Sequence, residues 1–318
     1  MSVLGSINPF PSIAADYPNL DRIVAELRDL RSSSHKTRYQ DRPLPELPSR
    51  KAIIEVLDGL IGALFPRHFG PPGLADHGRD AFVAATLATS LRTLERQVWL
   101  ELQLAAEDAD RSGQDDAVKA RQIANDFAEG LPEIRAMLES DILAAFEGDP
   151  AAKSLDEVMS CYPGVTAIIR HRLAHRLYRL GVPMLGRIIS EVAHSATGID
   201  IHPGAEIGEG LFIDHGTGVV IGETAIVGRR VRLYQAVTLG AKRFEVDERG
   251  ALIKNYPRHP IVEDDVVIYA GATILGRITI GRGSIIAGNV WLTHDVPPGS
   301  EITQARLRGN AFDDGGGI

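Results

Sequence analysis

The sequence predicts an α+β chain, in which an all-helical N-terminal part is followed by a parallel β-helix built from hexapeptide repeats. Three observations carry that prediction. Apolar residues recur at helical spacing up to about residue 198 and every six residues after it. The six-residue series is Ile201, Ile207, Ile213, then Ile221, Val227, Leu233, Leu239, then Val262, Ile268, Ile274, Ile280, Ile286 and Leu292, all of them Ile, Leu or Val. Four positions after most of them stands a second small or aliphatic residue, among them Ala205, Leu211, Thr217, Ala225, Val231, Val266, Ala272, Ser284 and Val296.

Residues 1–48 are rich in Pro, Ser and charge, and read as an extension and linker carrying one short helix over 20–30. A helical domain follows over 49–198. Ser49 is placed to cap a helix running to Leu64, which Pro66 ends. A second helix is expected over 79–107, and a third over 116–146 with a kink or break at Pro132. Two more, over 165–180 and 183–194, are separated by Gly181, a helix stop.

The β-helix is expected over 199–300. Period two would mark ordinary strands, whereas period six puts one large aliphatic residue inward on each side of a three-sided coil. About eighteen residues then make one coil, and each coil buries its apolar column only by stacking on its neighbours. The series breaks twice, at an eight-residue step from Ile213 to Ile221 and at an insertion over 240–260. Gly208, Gly222, Gly228 and Gly240 directly follow aliphatic positions, where a tight corner favours a residue tolerant of unusual backbone angles. The tail, 301–318, ends in Gly315-Gly316-Gly317-Ile318.

Composition narrows the function. With 44% hydrophobic and 24% charged residues the chain reads as globular. A net charge of -8 argues against nucleic acid or an anionic membrane as partner. Cys161 is the one cysteine, which excludes an internal disulfide framework and a cysteine zinc cluster. With no signal-peptide pattern and no membrane-length apolar run, the expected location is the cytoplasm. His171 and His175 are four apart on an expected helix but lack the glutamate of a metalloprotease helix, and read as a packed or solvent-facing pair. His202 and His294 read as turn residues. No His pair with four residues between exists in 199–300, which disfavours a zinc carbonic anhydrase of this repeat class.

Several segments together are more specific than the repeat. Asp200-Ile201-His202-Pro203, Ile213-Asp214-His215-Gly216-Thr217-Gly218, Gly222-Glu223-Thr224, Val237-Thr238-Leu239-Gly240 and Arg258-His259-Pro260 resemble the serine O-acetyltransferases. Asp149-Pro150-Ala151 and Arg172-Leu173-Ala174-His175 extend the likeness upstream. The resemblance covers about 140–300 and the tail. It implies a left-handed β-helix, transfer of acetyl from acetyl-CoA to the L-serine hydroxyl in cysteine biosynthesis, and feedback inhibition by cysteine. It also implies trimers or dimers of trimers, and no metal or permanently bound cofactor.

Serine's hydroxyl needs a base at neutral pH, and histidine suits the task. His215 lies in the eight-residue step. Asp200 lies fifteen residues earlier, close to one coil back, so the two are expected as neighbours. Asp200 would then orient the imidazole and leave its other nitrogen as base. As a zwitterion, serine calls for carboxylates at its ammonium and a cation at its carboxylate. The resemblance implies Asp149 and Asp214 for the first, and Arg258 with His259 for the carboxylate and hydroxyl end. It places acetyl-CoA in a groove between neighbouring subunits, on backbone groups at Gly240, Ala241, Ala270 and Gly288. Ala241 stands where the family usually has glycine, Tyr269 where a small residue is common, and Ile285 where a basic one is often found. The C-terminal Ile318 implies docking into O-acetylserine sulfhydrylase. The rival readings are a hexapeptide acetyltransferase acting on a sugar or antibiotic, and a catalytically silent regulator of the sulfhydrylase.

Overall fold

The computed structural model describes residue 17 and residues 19–39, 46–106, 113–254 and 256–304. Two compact units are present, Met1–Glu46 and Leu47–Ile318. The first contributes one helix, α1 (Leu20–Tyr39), which runs nine residues beyond the short helix expected over 20–30.

In the second unit, α2 (Arg50–Leu64) starts as expected, its Ser49 Oγ accepting from Ala52 N at 3.3 Å. Pro66 ends it and opens a single turn, α3 (Pro66–Phe69). After a 3-10 turn at Asp76–Gly78 comes α4 (Arg79–Ala106). The helix expected over 116–146 is two, α5 (Gly113–Glu129) and α6 (Leu131–Gly148). The break falls at Gly130, because Pro132 occupies the first turn of α6, where its missing N–H costs nothing. A short helix, α7 (Leu155–Cys161), was not legible in the apolar pattern; Ser154 caps it through Glu157 N at 3.1 Å. Then α8 (Pro163–Arg179) and α9 (Pro183–Thr197) flank Gly181, whose φ is 82°. Gly198, left-handed at φ 69°, closes α9 and delivers the chain to the coil.

Fourteen short strands follow among the described residues. β1 (Asp200–Ile201), β4 (Val220–Ile221), β7 (Thr238–Gly240), β10 (Thr273–Leu275) and β13 (Trp291–Leu292) form one parallel sheet. β2 (Glu206–Ile207), β5 (Ile226–Val227), β8 (Ile261–Val262) and β11 (Thr279–Ile280) form the second. β3 (Phe212–Ile213), β6 (Arg232–Leu233), β9 (Val267–Ile268), β12 (Ile285–Ile286) and β14 (Glu301–Ile302) form the third. The chain visits the sheets in rotation, so each turn of three strands is one coil.

Register measures each coil. Ile261 pairs with Thr279 and Thr273 with Trp291, an offset of 18 residues. The eight-residue step widens the first coil, where Asp200 pairs with Val220, to an offset of 20. The insertion widens the offset to 35, as between Ile226 and Ile261, with the sheets unbroken across it.

Every aliphatic residue of the six-residue series is buried, and one hydrophobic core runs from Ile53 on α2 to Val296 in the last coil. One expected inward residue is displaced. Thr217 is exposed and Val219 fills the core instead, because the two extra residues of the step rotate the corner before β4 begins. Buried Ser284 is satisfied, its Oγ donating to Pro297 O and accepting from Ser300 N.

The glycine argument also changes. Left-handed φ falls at Gly210, Gly216, Gly218, Gly271 and Gly283, and not at Gly208, Gly222, Gly228 or Gly240. Those four are small because the next coil is pressed against them. A Cβ on Gly208 would stand 2.8 Å from the Gly228 carbonyl.

Candidate active site

Three corners join the sheets, and chemistry collects at two of them. The corner after β3 holds the eight-residue step. Here α6 and α8 come down on the coil, and glycine makes the approach possible at both. A side chain on Gly148 would collide with Phe212 and Arg232, and one on Gly164 with the Ile213 carbonyl. These contacts bring Asp149, at the end of α6, and Tyr162, just before α8, to Asp214 and His215.

Tyr162 Oη donates to Asp149 Oδ2 at 2.5 Å, and Asp149 Oδ1 accepts from Ala151 N at 2.8 Å. The Tyr162 hydroxyl holds the Asp149 carboxyl below the usual carboxylate range, with help from Ala151 N–H and, less strongly, His215 and Arg232. The same bond raises the Tyr162 phenol, with the Asp149, Glu157 and Asp214 charges acting in the same sense. Asp149 therefore makes the turn contact that its place before Pro150 suggests and also faces the His215 corner.

His215 has φ 58°, a left-handed conformation uncommon for a residue with a side chain. Its side chain is 72% exposed, with Nε2 3.9 Å from Asp214 Oδ1. Asp200 stands on β1 in the coil against which this corner closes, Gly218 N donating to Gly198 O at 2.8 Å. Among the described residues no hydrogen bond joins Asp200 to His215. The 20-residue offset sets this corner against the start of β1, where a Cβ on Gly216 would collide with the Ile199 side chain, and the His215 ring lies beside Asp214.

Arg258 and His259 lie elsewhere, at the corner after the first sheet, where the insertion returns. Arg258 Nη2 donates to Glu223 Oε2 at 2.6 Å, and Tyr178 Oη on α8 donates to Glu223 Oε1 at 3.0 Å. His259 lies over Gly222, and its Nδ1 accepts from Thr224 N at 3.1 Å, which leaves the proton on Nε2. Thr224 Oγ1 accepts from the N–H groups of Arg258 and His259, and Arg277 Nη1 donates to the His259 carbonyl at 3.0 Å. Burial first, then the Arg258 charge, pushes His259 down to about 4. His202, packed edge-on against Tyr178, is also held at about 4, by burial and Arg187.

Within one chain, Asp149, Asp214 and His215 thus gather at one edge of the first sheet, and Arg258 with His259 at its other edge. Sequence reasoning missed Tyr162, Glu223 and Tyr178. The signal for the first was Tyr162-Pro163-Gly164, a helix start whose glycine has a packing cause.

The positions expected to meet acetyl-CoA are backbone ones. The N–H groups of Ala241, Ala270 and Gly288 find no acceptor among the described residues. Ala270 and Gly288 occupy equivalent places on consecutive coils, Asn289 N donating to Ala270 O at 2.9 Å. His175 Nδ1 lies 2.8 Å from Pro203 O, and among the described residues no cluster of His, Cys, Asp or Glu is set to hold a metal. Ile318 lies outside the described residues.

A coil of this kind, with polar side chains at its corners and free amides beside them, is the framework of the hexapeptide transferases. Residues 259–294 match the bacterial transferase hexapeptide (six repeats) family. A serine acetyltransferase of Synechococcus elongatus is 54% identical over 302 residues, covering 94% of this chain and 95% of the relative. That of Bacillus subtilis is 47% identical over 166 residues, covering 52% and 72%. Among solved structures, Entamoeba histolytica serine acetyltransferase 1 in complex with L-cysteine aligns with a TM-score of 0.68 at 38% identity, covering 78% of this chain and 86% of that one. Neisseria gonorrhoeae serine acetyltransferase in complex with serine aligns with a TM-score of 0.51 at 28% identity, covering 79% and 94%. The chain belongs to the serine acetyltransferase family, and its coil is the left-handed parallel β-helix of that family.

Proposed function

We propose that His215 is the general base for transfer of acetyl from acetyl-CoA to the L-serine hydroxyl. The observation that carries this reading is the meeting of two carboxylates, Asp149 and Asp214, with one exposed imidazole at a single corner. Two carboxylates suit the serine ammonium, and a sugar acceptor would leave them without a counter-charge. With Asp214 engaged by the ammonium, the ring is free to donate its other N–H to Asp200, which orients it and stabilises the imidazolium.

His215 takes the hydroxyl proton as serine oxygen attacks the thioester carbonyl. The Ala241 N–H donates to the oxyanion formed. Collapse breaks the carbon–sulfur bond, and the imidazolium returns its proton to the departing CoA thiolate, leaving O-acetyl-L-serine and CoA. The product's place is in cysteine biosynthesis, with cysteine competing for the serine site.

Arg258 and His259 would bind the serine carboxylate and hydroxyl end at the opposite edge of the sheet, so they serve the His215 corner of another copy. Pairing one corner with a different corner is heterologous and closes only as a ring, which favours the trimer, alone or doubled. Free amides at Ala270 and Gly288 then border the same groove, with Gly240 leading into the Ala241 donor. Ile318, preceded by three glycines, is suited to threading into O-acetylserine sulfhydrylase, and the setting is the cytoplasm.

His215→Ala tests the core of the reading. CoA release with serine and acetyl-CoA should fall by about 10²–10⁴-fold, with the circular dichroism spectrum retained. Turnover near that of the unaltered protein rejects His215 as base.

A further inference from the structure

Directly after the inward aliphatic of the third sheet, the coils present Asp214, Tyr234, Tyr269 and Ala287 in succession. Their N–H groups donate to Leu233, Ile268, Ile286 and Ile302 carbonyls at 2.8–3.0 Å, so the four form one ladder parallel to the coil axis. Adjacent rungs are about 4.8 Å apart. The ladder starts at the carboxylate beside His215. Its two middle rungs are aromatic and stacked, with ring centroids 5.0 Å apart and planes 12° from parallel.

Tyr269 is 43% exposed even though Tyr234 covers one face. The next rung is a methyl group, Ala287, which does not reach far enough to cover the other face. Nothing in the core needs this ring, and Tyr234 removes much of its rotational freedom in advance, which is how a side chain is prepared for a ligand. The residue following it is Ala270, whose N–H is free, and one coil further is the free N–H of Gly288.

These features describe a channel wall. A thioester whose carbonyl lies at His215 must send its pantetheine arm away from that corner. That arm carries two amide carbonyls separated by a β-alanine unit, four bonds that extend to about 5 Å. The rise between coils is about 4.8 Å, so the two carbonyls fit the Ala270 and Gly288 amides in succession. The arm's apolar methylenes then lie along the open face of Tyr269.

We propose that Tyr269, propped by Tyr234, is a donor-binding residue that packs against the pantetheine arm of the acyl-CoA. This rests on the acetyl-CoA reading above and adds to it a residue that sets affinity for the donor.

Calorimetric titration with CoA, together with steady-state kinetics, tests it on the full chain. In Tyr269→Ala the Kd for CoA and the KM for acetyl-CoA should rise about tenfold, and the KM for serine by less than about twofold. Tyr269→Phe should keep donor affinity, and Tyr234→Ala should lose part of it. Unchanged CoA affinity in Tyr269→Ala overturns the proposal. So does a change of oligomeric mass in that variant with CoA affinity intact, which would make the ring a subunit contact. A chain that binds CoA through Tyr269 but acetylates no serine sinks the serine reading and leaves the wall standing. A chain that binds no CoA sinks both.

Discussion

Asp149 shows how one side chain serves two purposes. It closes the turn after α6 through Ala151 N, and its second oxygen is fixed by Tyr162 toward the His215 corner. Tyr162→Phe removes that bond and frees the carboxylate to swing. The KM for serine should then rise about tenfold, the scale of a lost bond to a charged group, with less effect on the KM for acetyl-CoA; equal shifts in both would count against it. His259 and His202 give a second residue-scale prediction. Both are held at about 4 by burial, against 6.5 for a free imidazole. The unfolded chain therefore takes up protons between about 6.5 and 4 that the folded chain refuses, so this stability is complete above 6.5 and drains as pH falls. Urea midpoints should drop between pH 7.5 and pH 5, and His259→Gln should shrink the drop; an equal drop in both proteins refutes the assignment. His215 was legible because the repeat breaks at it, whereas Asp214 was named only through the family resemblance. Tyr162 was not, because its partner is distant in sequence and no period marks it.

Among elements, the helices were read well where capping chemistry is local. Ser49 and Gly181 act where the sequence puts them, and Gly198 closes α9. The 116–146 segment breaks as its proline suggests, but at Gly130 and not at Pro132, because a proline in a first turn and a proline in mid-helix look alike until the neighbouring glycine is placed. In the coil, the aliphatic column was legible residue by residue, but the reason for its glycines was not, since coil-to-coil pressure is invisible along a single strand. Gly208→Ala turns that into a measurement. Its Cβ would meet the Gly228 backbone, which cannot turn aside as a side chain can. The expected loss is about 1–3 kcal/mol in urea denaturation, and an unchanged midpoint would show that the coils yield. The corner after the second sheet is laced differently, by Arg230 with Asp265 and by Arg229 and Arg282 around Asp264. Exposed pairs of that kind are screened by solvent and add little, so the buried column and not the lacing holds the stack.

At the largest scale, the helices of the second unit and the coil share one core and a buried fastening. Arg172 on α8 donates to both oxygens of Asp141 on α6, and also to the carbonyls of Ile207 and Gly208 in the first coil. This link keeps the end of α6, and Asp149 with it, at a fixed height on the coil. The division of the candidate site residues between two corners was not legible, because spacing gives a position within a coil and says nothing about where a long insertion returns. Subunit mixing decides whether the two corners serve one copy of the chain or two. His215→Ala and Arg258→Ala chains, each nearly inactive alone, should recover about a quarter of the sites when unfolded and reassembled together in equal amounts, as random assortment in a closed ring requires. No recovery would place both halves in one chain.

The insertion between β7 and β8 enters and leaves without disturbing the pairing on either side: Thr238 still meets Thr273, and Ile226 still meets Ile261. The coil therefore treats that corner as a socket. Whatever is plugged in must only begin at Gly240 and end at Arg258, and its length and chemistry are otherwise free to vary without refolding the prism. Here the plug is a small antiparallel ribbon, Val246 bridged to Leu252. Because its downstream end is the Arg258-His259 pair itself, exchanging the plug is a way to retune how those two residues are presented while the scaffold beneath them stays as it is.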